Sequence, residues 1–235
     1  KLKTISTLCF AASTMLVASS AMAWESEDGA WSTSASVALS TEYVWRGKGQ
    51  TDNEPAISGS FDVGHSSGFY AGTWASNVDA SDDEGNTGAI EIDYYAGFGG
   101  DFGDSGVSYD IGGLYYDFPD LEGWDYFEVY GFVSYGILSA GVSYSLDAFD
   151  ADYEGAEDNL YYQVDASYDV GSVSLAAGVG YTDYDDETIW GENHTNWYVG
   201  ASTELAGFGL DVTYHDTDLD GSDTDAVVFT ISKSM

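Results

Sequence analysis

The chain carries 41 acidic and five basic residues. Two of those five, Arg46 and Lys48, sit together in the stretch TEYVWRGKGQTDNEP (residues 41–55), beside Tyr43 and Trp45. A guanidinium is a rigid fork of donors that pairs bidentately with a carboxylate, so Arg46 calls for an acidic partner. The partners on offer are acidic residues of other strands that share one face of alternating segments: Asp62, Glu91, Asp93, Asp110, Glu128, Asp165, Glu204 and Asp211. Arg46 is then either an anchoring ion pair or a constriction residue that faces an acidic cluster and sets a transverse field. Lys48 reads as a loop residue in water.

Other chemistry is sparse. The stretch DTDLDGSDTD, residues 216–225, opens like a calcium loop with Asp216, Asp218, Asp220 and Gly221, but Val227 stands where the bidentate Glu belongs. No other cofactor is expected. His65, His194 and His215 have no zinc spacing. His215 could form a dyad with a serine of a neighbouring strand, as in a lipid hydrolase, yet no G-x-S-x-G element accompanies it. The expectation is that the chain is not an enzyme.

Residues 1–23 read as a secretory signal: Lys1 and Lys3, the apolar run LCFAASTMLVA, then Ala21, Met22 and Ala23. The single cysteine, Cys9, lies inside it, so the remaining chain has neither a disulfide nor a thiolate site. No acid precedes residue 24, which leaves Arg46, Lys48 and Lys233 against all 41 carboxylates. Such a charge repels nucleic acid and anionic lipid surfaces, and it suits a protein that holds cations in salt water.

The elements that must position these groups are strands. After residue 23 no apolar run reaches the ~20 residues of a membrane helix. Apolar residues alternate instead with small or polar ones over twelve segments, near 34–46, 55–64, 68–77, 88–99, 106–118, 124–135, 137–147, 159–170, 172–182, 194–205, 208–217 and 224–234. Each is close to the roughly 9–11 residues of a tilted membrane strand. Short connections such as HSSG, YG and DVGS alternate with long acidic ones such as VDASDDEGNT and DAFDADYEGAED. The pattern predicts an all-β fold: one antiparallel transmembrane barrel over residues 24–235, with short periplasmic turns and longer extracellular loops.

Alternation fixes faces but does not separate a membrane barrel from a soluble one. Tyr43, Trp45, Tyr70, Trp74, Tyr115, Tyr116, Trp124, Tyr126, Tyr144, Tyr168, Tyr181, Trp197 and Tyr214 lie near segment ends, where interfacial girdles belong. Extending the first segment puts Tyr43 and Trp45 toward lipid and Glu42, Val44 and Arg46 toward the lumen. Inward Tyr95, Tyr130, Tyr161 and Tyr198 are positioned to narrow or close the path.

The stretch TEYVWRGKGQTDNEPAISGSFDVGHSSGFYAGTWASNVD resembles the N-terminal signature of the TorF-family porins, conserved bacterial proteins of unknown function, and the likeness continues through EIDYYAGFGG, SYDIGGLYYDFP and YFEVYGF. The resemblance implies an outer-membrane barrel presumed to be a porin; it supplies no substrate and no site residues. An acidic lumen favours cations. The expected function is therefore passive diffusion of small cations, or of cationic or neutral solutes, past the pore-lining residues Glu42, Arg46, Asp62, Glu91, Asp93, Asp110, Glu128, Asp165, Glu204 and Asp211. Alternatives are a non-conducting acidic surface or adhesion barrel with a plugged lumen, and the lipid hydrolase. Expected partners are outer-membrane lipid, lipopolysaccharide and the barrel-assembly machinery, with no nucleic acid.

Overall fold

The computed structural model describes residues 24–81, 87–119, 121, 124–146, 159–185, 192–220 and 225–235. Residues 1–23, where the sequence predicts a secretory signal, and the tips of several acidic loops lie outside these residues. Twelve long strands form the wall: β1 Trp31–Ser40, β2 Ala56–His65, β3 Phe69–Ser81, β4 Thr87–Asp101, β5 Val107–Asp117, β6 Tyr126–Tyr135, β7 Leu138–Leu146, β8 Asn159–Val170, β9 Val173–Tyr184, β10 His194–Leu205, β11 Phe208–Thr217 and β12 Asp225–Ser234. Each pairs antiparallel with the next in sequence. β12 also pairs with β1, Thr230 opposite Ser40 and Ser234 opposite Ser36, so the sheet closes into a barrel with no open edge. Among the described residues there is no helix.

The exposure pattern is the reverse of a water-soluble barrel. On β12 the outward Val227, Phe229 and Ile231 are exposed, while the inward Val228, Thr230 and Ser232 are buried. The same holds around the wall. Ile57, Ile111, Val133, Leu138, Val164, Leu175 and Val199 face out, whereas Ser76, Asp93, Glu128, Ser143, Asn196 and His215 face in and are buried. An apolar exterior around a polar interior is stable only where the surroundings are hydrocarbon, so the barrel is a membrane-spanning one.

Lumen-facing glycines let aromatic rings lie along the wall. Gly97 of β4 and Gly112 of β5 are cross-strand partners, and Tyr70 from β3 and Tyr130 from β6 lie over them from opposite sides until their hydroxyls meet. A Cβ on Gly97 would also come within 2.8 Å of the Ile111 carbonyl oxygen, which is wall backbone and has nowhere to go. Tyr95, Tyr161 and Tyr198 rest in the same way on Gly72, Gly180 and Gly178. These inward tyrosines therefore line the wall rather than spanning the path, because the neighbouring strand offers no side chain to lift them off it.

The aromatic girdle needs a matching correction. Tyr168, Tyr181 and Trp197 do face outward and are exposed. Tyr43 and Tyr116 are buried inside, Tyr70 and Tyr126 turn inward, and Trp74 packs on the internal cluster of Tyr43, Ala56 and Val78. Nearness to a segment end does not tell which side of the wall a ring takes.

Candidate functional site

The first loop folds into the barrel. β1 stops at Ser40, six residues short of the segment that alternation suggests, and its last link to β12 is the Thr41 amide on the Phe229 carbonyl (3.0 Å). Val44–Trp45 then pairs with Lys48–Gly49 around a two-residue turn in which Arg46 (φ 46°) and Gly47 (φ 81°) are both left-handed. Positive φ at both central residues is the signature of a type I′ hairpin turn, which asparagine or aspartate followed by glycine adopts most readily. Arginine at its first position costs roughly 1–2 kcal/mol of backbone strain. Tyr43 and Val44 are each 2% exposed, so the expectation of a lipid-facing Tyr43 fails, and Trp45 also turns inward. The alternation ends where the ladder ends, and past that point parity says nothing about the face.

The hairpin reaches most of the wall. Gln50 accepts from the Asp79 amide of β3, Tyr43 donates to Glu91 of β4, Trp45 meets Tyr116 of β5 edge-on, and Gly47 sits against Asn196 of β10 and Thr217 of β11. Lys48 is half-buried, its Nζ 5.4 Å from the ring centre of Tyr184 on β9, rather than free in water. Burial pushes its ammonium below the ordinary lysine range.

Arg46 is the centre of this loop and is 2% exposed. Its Nη2 donates to Glu128 Oε2 of β6 at 2.6 Å. Its guanidinium lies over two rings, 4.4 Å from the centre of Trp45 and 4.2 Å from that of Tyr161 on β8. The His194 Nε2–H donates to its carbonyl (3.1 Å). Nε and Nη1 have no partner among the described residues. Burial opposes the charge most strongly, but the Glu128 carboxylate together with the Tyr116, Tyr126 and Tyr161 hydroxyls outweighs it, so the guanidinium is held above its already high range.

Beneath the hairpin, Glu91 accepts from Tyr43 (3.0 Å), and Asp93, in register between Trp74 and Tyr116, has an Oδ1 without a partner among the described residues. Glu42 belongs to the loop and accepts the Asn53 amide (3.3 Å). Lower in the lumen, four carboxylates occupy every third strand: Asp62 on β2, Asp110 on β5, Asp165 on β8 and Asp211 on β11, each within five residues of the short-turn end of its strand. Asp62 takes the Tyr95 hydroxyl, Asp110 the Tyr70 hydroxyl (2.6 Å), Asp165 the Tyr198 hydroxyl (2.8 Å) and Asp211 the Thr213 hydroxyl (2.9 Å). Glu204 shares their face but lies exposed at the rim.

Two triads repeat across the barrel. Asp62, Gly72 and Tyr95 stand in one row of β2–β4, and Asp165, Gly178 and Tyr198 in one row of β8–β10. Sequence reasoning missed this internal echo because the rows are assembled by register, not by spacing along the chain.

Asp216 accepts from Tyr214 and from the Thr217 amide, and Asp218 from the Thr195 amide (2.7 Å). No group of three acidic or histidine side chains is placed to hold a metal among the described residues. Gly221 lies outside them. His215 is flanked in register by Tyr198 and Ala226, so neither cross-strand neighbour is a serine. His65 packs on Trp31 at the short-turn end.

Residues 25–235 match the model of a bacterial family of unknown function, Gcw_chp. The chain belongs to that family. The description of the family assigns it no function and does not carry the TorF name. No curated protein matches the chain. Among solved structures, the NanC porin in its rhombohedral crystal form is 11% identical and superposes with a TM-score of 0.56, covering 84% of this chain and 97% of its own. A protein from a study of in-meso crystallization of membrane proteins is 7% identical, with a TM-score of 0.51 over 86% and 83%. A porin refined at 1.8 Å is 17% identical with a TM-score of 0.39, and this chain spans only 62% of it. At these identities the likeness establishes the barrel fold alone.

Proposed function

We propose that the protein is an outer-membrane channel that passes small cations, or cationic and neutral solutes, through an acidic lumen narrowed by its first loop. One observation carries the reading. The lumen presents Asp62, Glu91, Asp93, Asp110, Glu128, Asp165 and Asp211, while the only cations described inside it, Arg46 and Lys48, belong to the hairpin at its mouth. Rings of carboxylate select ions by sign. The ends of the barrel follow: the short turns face the periplasm and the long acidic loops face outward, as bacterial barrels are built.

The hairpin also favours a second reading, a barrel plugged by its own loop whose outer surface does the work. Single-channel recording of the refolded chain under a salt gradient separates the two. Discrete steps that reverse at a potential of cationic sign support the channel. Silence from protein that is demonstrably folded, or an anionic sign, sinks it, and silence favours the plug.

A further inference from the structure

The Arg46 guanidinium occupies a pocket that belongs in part to the wall. Glu128 on β6 and Tyr161 on β8 are wall residues, whereas Arg46 and Trp45 come from the hairpin. We propose that this pocket is a binding site for guanidinium-bearing solutes, and that Arg46 fills it from within as a built-in occupant.

Three observations converge. The pocket matches the ligand: a carboxylate at 2.6 Å from one donor, and two aromatic rings whose centres lie 4.2 and 4.4 Å from the planar cation. The occupant belongs to a loop and not to the wall ladder. Within the hairpin, Gln50 bonds to Tyr43 and Glu54 to Thr51, and its ties to the wall include the Asp79 amide on the Gln50 carbonyl, His194 on the Arg46 carbonyl and the side chains of Tyr43, Trp45 and Lys48. The occupant also carries costs that a free solute escapes. Arg46 is left-handed, and its Nε and Nη1 are buried without partners among the described residues. A small guanidinium brings no backbone strain. It therefore competes with Arg46 for Glu128. The site rests on the channel reading for its use, since a solute must enter the lumen to reach it, but its existence is tested without any conductance.

The test exploits a shortage of trypsin sites. Beyond residue 23 the only lysines and arginines are Arg46, Lys48 and Lys233, so cleavage after Arg46 or Lys48 reports release of the hairpin. Refolded full-length chain, checked for its barrel by heat-dependent gel mobility, is expected to resist cleavage there. Arg46→Ala keeps the Lys48 site and is expected to be cut about a hundredfold faster, because removing one partner of a buried pair leaves the other charge uncompensated. Methylguanidinium, the probe, restores resistance to Arg46→Ala, does not restore it to Arg46→Ala/Glu128→Gln, and is not replaced by neutral urea of similar shape. Arg46→Gln serves in the same way if the alanine variant does not fold. Equal protection by urea, or protection of the double variant, overturns the site as cavity filling. Resistance of Arg46→Ala equal to that of the wild type overturns Arg46 as the occupant. Rescue by methylguanidinium in a protein that proves electrically silent keeps the site and removes the channel.

Discussion

At the scale of single residues, the sequence already demanded a carboxylate for Arg46 and offered Glu128 among several; only register could choose it. Sequence also placed Lys48 in water, and there the structure differs, because the turn folds its stem onto Tyr184. The dipeptide Arg46-Gly47 before Lys48 was the available signal of a tight hairpin, masked by an arginine where asparagine is usual. Lys48 gives a pH prediction with a definite sign. Burial lowers its folded-state affinity for a proton below the ordinary value of 10.5, so the folded loop binds fewer protons than the unfolded chain. The penalty is in force at neutral pH and fades as pH rises through the window just below 10.5. Lys48→Gln is therefore expected to melt above the wild type at neutral pH, with the gap closing on alkalinisation. A gap that is constant with pH would show that the ammonium contributes nothing. Arg46→Asn separates strain from latch: asparagine suits the turn, so any loss of trypsin resistance in this variant measures the Glu128 contact and the two cation–ring contacts.

At the scale of elements, the twelve strands were legible because a membrane barrel writes its two faces into the chain with a period of two. The bounds of β8, β10 and β11 follow the alternation throughout, since tight turns or acidic breaks flank each of them. β1 is the exception, and the reason is specific: TEYVW continues to read as strand, yet the chain leaves β12 after Thr41 while β12 itself runs on along β11 to Asp225, and β2 offers no ladder before Ala56. The glycine and tyrosine interlocks were not legible, because each joins strands whose residues lie far apart in sequence. They make a sharp prediction at Gly97. Gly97→Ala sets a methyl against the Tyr70 ring and the Ile111 carbonyl, and should destabilise the barrel by about 1–3 kcal/mol, the usual cost of overpacking. Gly103→Ala is the control in a turn where a Cβ meets nothing, with only the strain of a positive φ to bear. Urea unfolding in micelles compares them, and equal midpoint shifts would deny the interlock its role.

At the scale of the whole molecule, charge is sorted by position. The hairpin concentrates Arg46 and Lys48 at the loop end of the lumen, and the carboxylates of β2, β5, β8 and β11 stand below it near the short turns. A solute that passes the hairpin meets four acidic positions spread around the wall, each held in place by a hydroxyl from Tyr95, Tyr70, Tyr198 or Thr213. Those hydroxyl donors carry no charge of their own, so the four carboxylates form a belt with no cation against them among the described residues, unlike Glu128, which Arg46 pairs with. If the channel reading holds, sign selection resides in this belt. Replacing Asp62, Asp110, Asp165 and Asp211 together by Asn keeps an oxygen for every hydroxyl and removes four charges, and should bring the reversal potential under a salt gradient close to zero while leaving the folded gel mobility unchanged. The wild-type preference for cations should itself shrink as salt rises, because the Debye length falls from about 10 Å at 0.1 M to about 3 Å at 1 M and fixed charges stop reaching the middle of the lumen. A preference that survives both the substitutions and high salt would have to come from the acidic loops outside, and the belt would then be no more than a structural girdle of tyrosine–aspartate pairs.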